Sequence, residues 1–159
     1  MAKQLLGKEV TASLNAKLQE RAMQLTQKGV KPTLAIVRVG ADPSDLSYER
    51  GATKRAELIG VDVVKYELPE DVTKEALIDT IHAINHNDAI HGVLLFRPLP
   101  KHLKADEDFI CNQLDPRKDV DGITDGSNAG VFMAKKLGFA PCTPSACMEI
   151  LDYYGIDCT

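Results

Sequence analysis

The sequence predicts an α/β protein, a three-layer αβα sandwich built around a mostly parallel sheet. Three short runs of aliphatic and β-branched residues, at 33–39, 61–67 and 90–96, alternate with segments in which apolar residues recur at helical spacing. Such alternation implies βαβ units, and their right-handed crossovers make the strands parallel. The 159 residues are enough for one domain with its own core and too few for two domains of usual size.

The first elements have clear beginnings and ends in the sequence. Apolar residues at helical spacing over 10–25 predict a first helix that ends at Gly29. The run 33–39 is short and rich in β-branched residues, which is typical of a buried strand. A second helix is predicted over 45–59, because Gly60 stands where helices often end in a left-handed residue.

The middle of the chain continues the same alternation. A second strand is predicted over 61–67, a third helix over 73–85 and a third strand over 90–96. A short helix over about 106–114 and a brief strand at 119–120 follow. This order predicts that the strands lie in one sheet with helices covering its faces.

Two helices are predicted in the last part of the chain. The first, over 128–137, has weak apolar periodicity. The second, over 144–154, has a stronger signal, because Thr143 at the N-cap and Pro144 at the first helical position form a matched start.

Composition and charge exclude several classes of partner. Hydrophobic residues make up 44% and charged residues 26% of the chain, as in ordinary globular proteins. The net charge of -4 without a Lys/Arg cluster predicts no nucleic-acid partner. No apolar run approaches the ~20 residues of a membrane span, so we expect no membrane partner and a cytoplasmic protein. The four cysteines lack metal-binding spacing, which predicts free thiols and no metal.

Asp121 is the strongest polar candidate for a binding site. It follows the brief strand at 119–120, and ligands of α/β sheets bind at the carboxyl ends of strands. A carboxylate accepts two parallel hydrogen bonds from a planar N–H/NH₂ edge, which pterins, guanine and arginine all present. Gly122 allows close approach of ligand and backbone. A simple turn explains this segment equally well, and we expect Asp119, on the other strand face, to be structural.

Tyr48 is a second candidate, because it lies near the start of the helix that follows the first strand. Two interpretations remain open: its phenol reaches the cleft, or its ring is half-buried against the sheet. The end of that strand, at 39–44, has no glycine-rich dinucleotide fingerprint. It also lacks the acidic pair that is typical of phospho-receiver domains.

Five stretches occur in an order and spacing that make coincidence improbable: Val39-Gly-Ala-Asp-Pro-Ser44 with Ser47-Tyr48, Gly92-Val-Leu-Leu-Phe-Arg-Pro-Leu-Pro100, Lys118-Asp-Val-Asp-Gly122, Asn128-Ala-Gly130 and Pro141-Cys-Thr-Pro144. From about Leu6 to Asp157, the sequence resembles the N-terminal catalytic domain of the methylenetetrahydrofolate dehydrogenase/methenyltetrahydrofolate cyclohydrolase family. Members of this family oxidise 5,10-methylenetetrahydrofolate with NADP or NAD. Many also hydrolyse the methenyl product to 10-formyltetrahydrofolate.

The resemblance implies a Rossmann-like αβα domain with folate in a cleft, and a homodimer when full length. It implies that Tyr48 and Asp121 are catalytic, with Tyr48 against the folate and Asp121 on the pterin. The implied substrate-binding residues are Tyr48, Ala52, Leu95, Phe96, Arg97 and Asp121. We expect residues 1–143 to form the folate-binding catalytic domain and residues 144–159 to begin the connection to a nucleotide-binding domain that this chain lacks. NADP or NAD would bind in that absent domain.

Two departures from the family pattern affect the hydrolytic step. Ala52 takes the place of a lysine that serves proton transfer, and Phe96, followed by Arg97, takes the place of a glutamine. Lys54 lies two residues further on, rotated by about 200° around a helix with ~3.6 residues per turn, so we expect it to point elsewhere. We therefore expect dehydrogenation to persist, since it requires mainly orientation of the reactants, and hydrolysis to be weak or lost.

Two other interpretations remain. A paralogue that binds a folate or another pterin without converting it would share these stretches. A flavodoxin-like signalling or interaction module rests on analogy of fold alone. The missing acidic pair at the end of the first strand counts against the signalling module.

Overall fold

The computed structural model describes residues 4–158 and confirms the predicted α/β architecture. Within these residues, three parallel strands form an open sheet in the order β2-β1-β3. The strands are β1 (Thr33–Val39), β2 (Asp62–Leu68) and β3 (Gly92–Leu95). The predicted strand at 119–120 is reduced to a single parallel bridge between Asp119 and Val93. A turn begins directly after this bridge, which leaves no length for a ladder.

Six α-helices accompany the strands in the described part of the chain. They are α1 (Gly7–Gln27), α2 (Pro43–Ile59), α3 (Lys74–Asn85), α4 (Glu107–Cys111), α5 (Asp125–Phe132) and α6 (Cys142–Tyr153). A 3₁₀ turn at Lys104–Asp106 precedes α4. The first three helices lie where the sequence predicts them, within about three residues.

Local chemistry explains where α2 begins and ends. The Asp42 carboxylate accepts the Ser44 N–H at 2.8 Å, and Pro43 stands at the first helical position. These are strong N-terminal signals, because the carboxylate satisfies a backbone donor and proline presets the helical φ. At the other end, Gly60 has a φ of 79° and stops the helix in the left-handed conformation.

The main hydrophobic cluster lies on one face of the sheet. Ala35 and Val37 of β1 pack there with Val93 and Leu95 of β3, under buried residues of α3 and α4. Side chains alternate along a strand, so the buried Ile36 points to the opposite face. Helix α2, which contacts β1 and β2, contributes no residue to this cluster. The sheet is thus sandwiched between helices, as predicted.

The start of α5 differs from its predicted position at 128. The helix begins at Asp125 because the Thr124 hydroxyl accepts the Ser127 N–H at 3.1 Å and caps it. It ends at Phe132, and the chain between Phe132 and α6 is not helical.

The predicted start of α6 at Pro144 is wrong by two residues. The helix begins at Cys142, after Pro141, whose carbonyl accepts the Ser145 N–H at 3.2 Å. Thr143 already has a helical backbone and therefore cannot serve as the N-cap. The boundary predicted between residues 143 and 144 stays a prediction, and it falls inside this helix.

Helix α6 returns to the beginning of the chain. It packs against α1, and the Tyr154 hydroxyl donates a hydrogen bond to the Leu6 carbonyl at 3.0 Å. None of the helices described over residues 4–158 combines the length and the apolar character that a membrane crossing requires.

Candidate functional site

A pocket lies at the carboxyl ends of β1 and β3, where ligands of α/β sheets bind. Its volume is about 240 Å³, and it is lined by Asp45, Tyr48, Leu94, Leu95, Phe96, Arg97 and Asp121. Five of the six residues predicted to bind substrate therefore meet in one pocket. The sixth, Ala52, lines an adjoining open groove together with Tyr48.

A larger open hollow of about 730 Å³ runs along the edge strand β2. Its lining includes Thr33, Asp62 and Ile90, which lie at or just before the amino ends of the three strands. Because ligands of such sheets bind at the opposite, carboxyl ends, the smaller pocket is the better candidate.

Tyr48 forms one wall of the pocket. Its side chain stands in the second turn of α2 and is 61% exposed, so it is not buried against the sheet. Its ring meets the Phe96 ring edge to face, with the centroids 5.4 Å apart. Partial burial raises the pKa of the phenol, and the charges of Asp121 and Cys142 raise it further. The phenol therefore stays protonated near neutral pH and offers an aromatic face and a hydrogen-bond donor.

The segment after β3 forms the floor of the pocket. Phe96 is buried, whereas Arg97 is exposed at the rim. Glu107 holds this segment in place, since its carboxylate accepts the Leu99 N–H at 2.5 Å and pairs with Lys104 at 2.7 Å. Burial alone would raise the pKa of Glu107, but these hydrogen bonds and the nearby Arg97 charge outweigh it, so the pKa is lowered.

Asp121 belongs to a turn that Asp119 organises. Asp119 is fully buried, and its carboxylate accepts the backbone N–H groups of Ile123 and Thr124 and the Ser127 hydroxyl at 2.7–3.0 Å. Burial would raise the pKa of Asp119, but these hydrogen bonds outweigh it and lower the pKa. Asp119 is thus a structural residue, as expected, and the neighbouring Asp121 is left half-buried in the pocket.

Gly122 allows this turn to press against the start of α6. Its φ is 69°, and a Cβ atom at this position would lie 2.6 Å from the Pro141 nitrogen. The close approach brings Cys142, the first residue of α6, beside Asp121. The Cys142 thiol donates to the Val120 carbonyl at 3.3 Å. Burial, followed by the charge of Asp121 and its hydrogen bond, raises the pKa of this thiol.

Three residues at the pocket are absent from the predicted set: Leu94, which precedes the predicted Leu95 in β3, Asp45 and Cys142. Asp45 lines it from the first turn of α2, and its signal in the sequence is the three-residue spacing to Tyr48, which places both on one helix face. Cys142 borders it through Asp121, and its signal is the motif Pro141-Cys-Thr-Pro144.

A buried ionic cluster fixes α2 directly behind the pocket. We call Arg38, Glu49 and Lys65 the α2 cluster. The Glu49 carboxylate accepts Arg38 Nε at 2.9 Å and pairs with Lys65 at 2.7 Å, and both Arg38 and Glu49 are about 95% buried. Burial would raise the pKa of Glu49, but its two cationic partners outweigh it and lower the pKa. Glu49 follows Tyr48 in the chain, so the cluster also holds the tyrosine.

The sequence profile described as tetrahydrofolate dehydrogenase/cyclohydrolase, catalytic domain, matches residues 5–121 of the chain. This range includes the pocket residues from Asp45 to Asp121. The chain belongs to the tetrahydrofolate dehydrogenase/cyclohydrolase family. The resemblance drawn from the five sequence stretches is thereby confirmed at the level of the family.

Curated relatives of the family cover almost the entire chain. The bifunctional protein FolD of Carboxydothermus hydrogenoformans is 47% identical over 156 residues, which are 98% of this chain and 54% of the relative. The bifunctional protein FolD of Clostridioides difficile is 44% identical over 95% of this chain and 52% of the relative. The chain spans about half the length of the curated relatives it matches.

Solved structures show the same fold. The bifunctional FolD dehydrogenase/cyclohydrolase of Campylobacter jejuni is 34% identical, with a TM-score of 0.91 over 96% of this chain and 54% of that chain. The methylenetetrahydrofolate dehydrogenase of the silkworm Bombyx mori is 27% identical, with a TM-score of 0.90 over 99% of this chain and 53% of that chain. The FolD enzyme of Trypanosoma brucei, complexed with NADP and an inhibitor, is 29% identical, with a TM-score of 0.84 over 94% of this chain and 50% of that chain.

The amino end of α2 does not fit the dinucleotide that enzymes of this family use. In dinucleotide-binding domains the pyrophosphate rests on a helix N-terminus behind a glycine-rich loop. Here the Asp42 carboxylate already caps that end, and Asp45 adds a second negative charge in the same turn. These carboxylates would repel a pyrophosphate. Over residues 4–158, no three His, Cys, Asp or Glu side chains are grouped to hold a metal ion.

Proposed function

We propose that the pocket binds the pterin of a tetrahydrofolate derivative and that the protein oxidises 5,10-methylenetetrahydrofolate to 5,10-methenyltetrahydrofolate. The observation that carries this proposal is the meeting of the Tyr48 ring and the Asp121 carboxylate in one pocket. Membership of the tetrahydrofolate dehydrogenase/cyclohydrolase family supports it. The pocket lies at the end of the sheet where such ligands bind.

Each wall of the pocket has a part in holding the substrate. The pterin ring packs against the exposed face of Tyr48, while Leu95 and Phe96 exclude water from the other side. Asp121 accepts two hydrogen bonds from the N–H/NH₂ edge of the pterin, a strong charge-assisted pair. Together these contacts orient the methylene carbon, and orientation is the main contribution of a protein to hydride transfer.

NADP or NAD accepts the hydride when it is bound. In our proposal, polypeptide outside the described residues holds this cofactor, since the amino end of α2 carries two carboxylates. The residues of this chain act on the folate. They bind the folate, orient its methylene group away from the pocket, and exclude water from the face of the pterin that packs against the protein.

We further propose that hydrolysis of the methenyl product is much slower than its formation. Ala52 and Phe96 stand where the family pattern has a lysine and a glutamine. Neither side chain moves protons, and a group that does so typically accelerates a reaction by ~10²–10⁴-fold. Arginine is a poor proton shuttle, so Arg97 does not replace the lysine.

Replacement of the pterin-binding carboxylate tests the proposed function. Asp121→Ala in the purified chain should weaken tetrahydrofolate binding by roughly ten- to a hundredfold, because a hydrogen bond to a charged group contributes ~1.5–3 kcal/mol. Titration calorimetry measures the affinity. Asp79→Ala removes an exposed carboxylate from α3 and should leave the affinity unchanged. Equal affinities of Asp121→Ala and the unaltered chain would contradict the proposal, as would failure of the unaltered chain to bind tetrahydrofolate.

The second candidate function is binding of a folate without conversion. The presence of Ala52 and Phe96, where the family pattern has a proton-transferring lysine and a glutamine, favours it. Folate binding is common to both candidates. The two candidates are distinguished by dehydrogenase turnover, which is measured with the protein together with the polypeptide that we propose holds the dinucleotide.

A further inference from the structure

Asp45 lines the pocket at a position from which its carboxylate can act on a bound ligand. It stands in the first turn of α2, and Tyr48 follows one turn later, so their Cβ atoms are about 5–6 Å apart on one face of the helix. Both side chains line the same pocket. Any ligand that packs on the Tyr48 ring therefore lies within reach of the Asp45 carboxylate.

The Asp45 carboxylate is free to accept a proton. Within residues 4–158, no group donates a hydrogen bond to it or forms an ion pair with it. Glu49, the other carboxylate on this part of α2, is engaged by the two cations of the α2 cluster and does not line the pocket. Tyr48 holds its own proton, because its pKa is raised by partial burial and by Asp121.

Asp45 and Asp121 act on different parts of the pocket. Asp45 lines it from the first turn of α2, whereas Asp121 lines it from the turn that follows the bridge between Asp119 and Val93. In a methenyl folate, the carbon bridging N5 and N10 lies at the opposite end of the ring system from the N–H/NH₂ edge. A folate held at that edge by Asp121 thus directs its reactive carbon away from Asp121.

We propose that Asp45 is the proton acceptor for attack of water on the methenyl carbon in this protein, a role that rests on the proposed folate-binding function. It would replace a side chain that Ala52 cannot supply. A carboxylate is a weaker base than a group whose pKa lies near neutrality, so the hydrolysis it supports is slower than the family lysine would give. This agrees with a protein in which dehydrogenation exceeds hydrolysis.

The step balances without any further reactant. Water adds to the methenyl carbon and gives one proton to Asp45, leaving a neutral hydroxyl-bearing carbon between N5 and N10. The bond from that carbon to N5 then breaks as the carbonyl forms. Asp45 returns its proton to N5, and the hydroxyl proton leaves to solvent. One methenyl cation and one water yield 10-formyltetrahydrofolate and one proton.

The purified chain itself serves for the test, since hydrolysis requires no dinucleotide. Loss of the methenyl absorbance is followed with 5,10-methenyltetrahydrofolate, and the rate without protein is subtracted. Asp45→Asn keeps the size of the side chain and should lower the catalysed rate roughly 10²-fold, the usual contribution of a general base. Asp45→Glu should retain part of the rate, and Asp79→Asn on α3 should retain all of it. Tetrahydrofolate affinity should change less than about threefold in each variant, which corresponds to about half of the ~1.4 kcal/mol that a tenfold change represents.

The pH profile separates a proton acceptor from a merely structural residue. The catalysed rate of the unaltered chain should rise as pH increases through the pKa of Asp45 and then level off. Burial and the Asp42 charge raise that pKa, and Arg38 opposes them. The charged and titratable groups that face Asp45 are Asp42, Tyr48, Arg38, Arg97 and Asp121. Asp45→Asn should lose this rise.

The outcomes distinguish the two proposals. If the unaltered chain fails to bind tetrahydrofolate, the proposed function is wrong. If it binds but hydrolyses no faster than buffer, or if Asp45→Asn hydrolyses as fast as the unaltered chain, the role of Asp45 is overturned while folate binding stands.

Discussion

At the scale of single residues, Ala52 is one of the two positions at which we expect this chain to depart from the family pattern. It lines the open groove beside Tyr48, where an added side chain has room to extend. Phe96, in contrast, is buried and packs against the Tyr48 ring. The two residues therefore differ in their effect on the site. Ala52 leaves space in the groove, whereas Phe96 fills the floor of the pocket with an apolar ring.

Restoring the family residues at these two positions should raise hydrolysis. Ala52→Lys combined with Phe96→Gln supplies a proton-moving amine and a polar partner, so the methenyl absorbance should disappear roughly 10²-fold faster, at the lower end of the range of a general acid or base. Lys54→Ala is the matched control, because that lysine lies outside the lining of the pocket and the groove. A double variant no faster than the unaltered chain would show that the missing amine does not limit hydrolysis.

At the scale of elements, the pocket depends on how α2 and α6 are held against the strand ends. The α2 cluster anchors α2, since removing one partner of a buried pair leaves an uncompensated charge. The start of α6 is held differently, by the close approach of Gly122 to Pro141. This second contact involves backbone atoms, which cannot move aside as a flexible side chain does.

Gly122→Ala should therefore disturb both stability and binding. The left-handed φ of 69° strains any L side chain by about 1–3 kcal/mol, and the added Cβ would also clash with Pro141. We expect a lower free energy of unfolding in urea and weaker tetrahydrofolate binding, because Asp121 moves with the turn. Gly29→Ala is the control: its φ is 83°, but a Cβ there meets nothing within 4 Å. Equal losses of stability in the two variants would exclude a contribution from the contact with Pro141.

At the scale of the whole molecule, buried carboxylates make the fold sensitive to acid. Four carboxylates have lowered pKa values: Glu49, Glu107, Asp115 and Asp119. In Glu49, Glu107 and Asp119, burial is the largest single influence and would raise the pKa, but hydrogen bonds and nearby cations together outweigh it. In Asp115, the hydrogen bond from Arg117 is the largest influence, and it lowers the pKa. A carboxylate with a lowered pKa stabilises the fold above its unfolded pKa, and this contribution is lost as pH falls through its folded pKa.

The free energy of unfolding should thus be nearly constant between about pH 7 and 5 and fall steeply below about pH 4, the ordinary range of carboxyl groups. Urea unfolding followed by circular dichroism at a series of pH values measures this dependence. Asp119→Asn should be less stable at neutral pH and should lose less on acidification, because one of the responsible groups no longer titrates. A stability that is equal at pH 7 and pH 3 would contradict this account.

Most of the fold could be predicted from the sequence, because its signals are local. The cap and proline at the start of α2, and Gly60 at its end, lie within the residues they control. The start of α5 could not be predicted in this way, since Thr124 caps it from a turn that the buried Asp119 organises. The same holds for the brief strand at Asp119, whose length is set by that turn.

The residues of the pocket also divide into those that the sequence could predict and those that depend on contacts in the folded chain. Tyr48, Leu95, Phe96, Arg97 and Asp121 were found because they belong to sequence stretches that the family shares, and all five line one pocket. Asp45 is not among the residues that the resemblance assigns to the site. Its only signal is its position one turn before Tyr48, on the same face of α2. Cys142 reaches the site through a contact between Gly122 and Pro141, which are distant in sequence.

The α2 cluster has a second consequence, which concerns aggregation. Strand β2 lies at an edge of the sheet, and an unpaired edge is a template for strands of other molecules. Lys65 of β2 reaches back to Glu49, Glu67 pairs with Arg38, and Asp62 pairs with Lys31, so charges recur along this edge. An incoming strand would have to bury them or break these pairs. Lys65, which helps to hold α2 beside the pocket, thus also takes part in protecting the open edge from pairing with another chain.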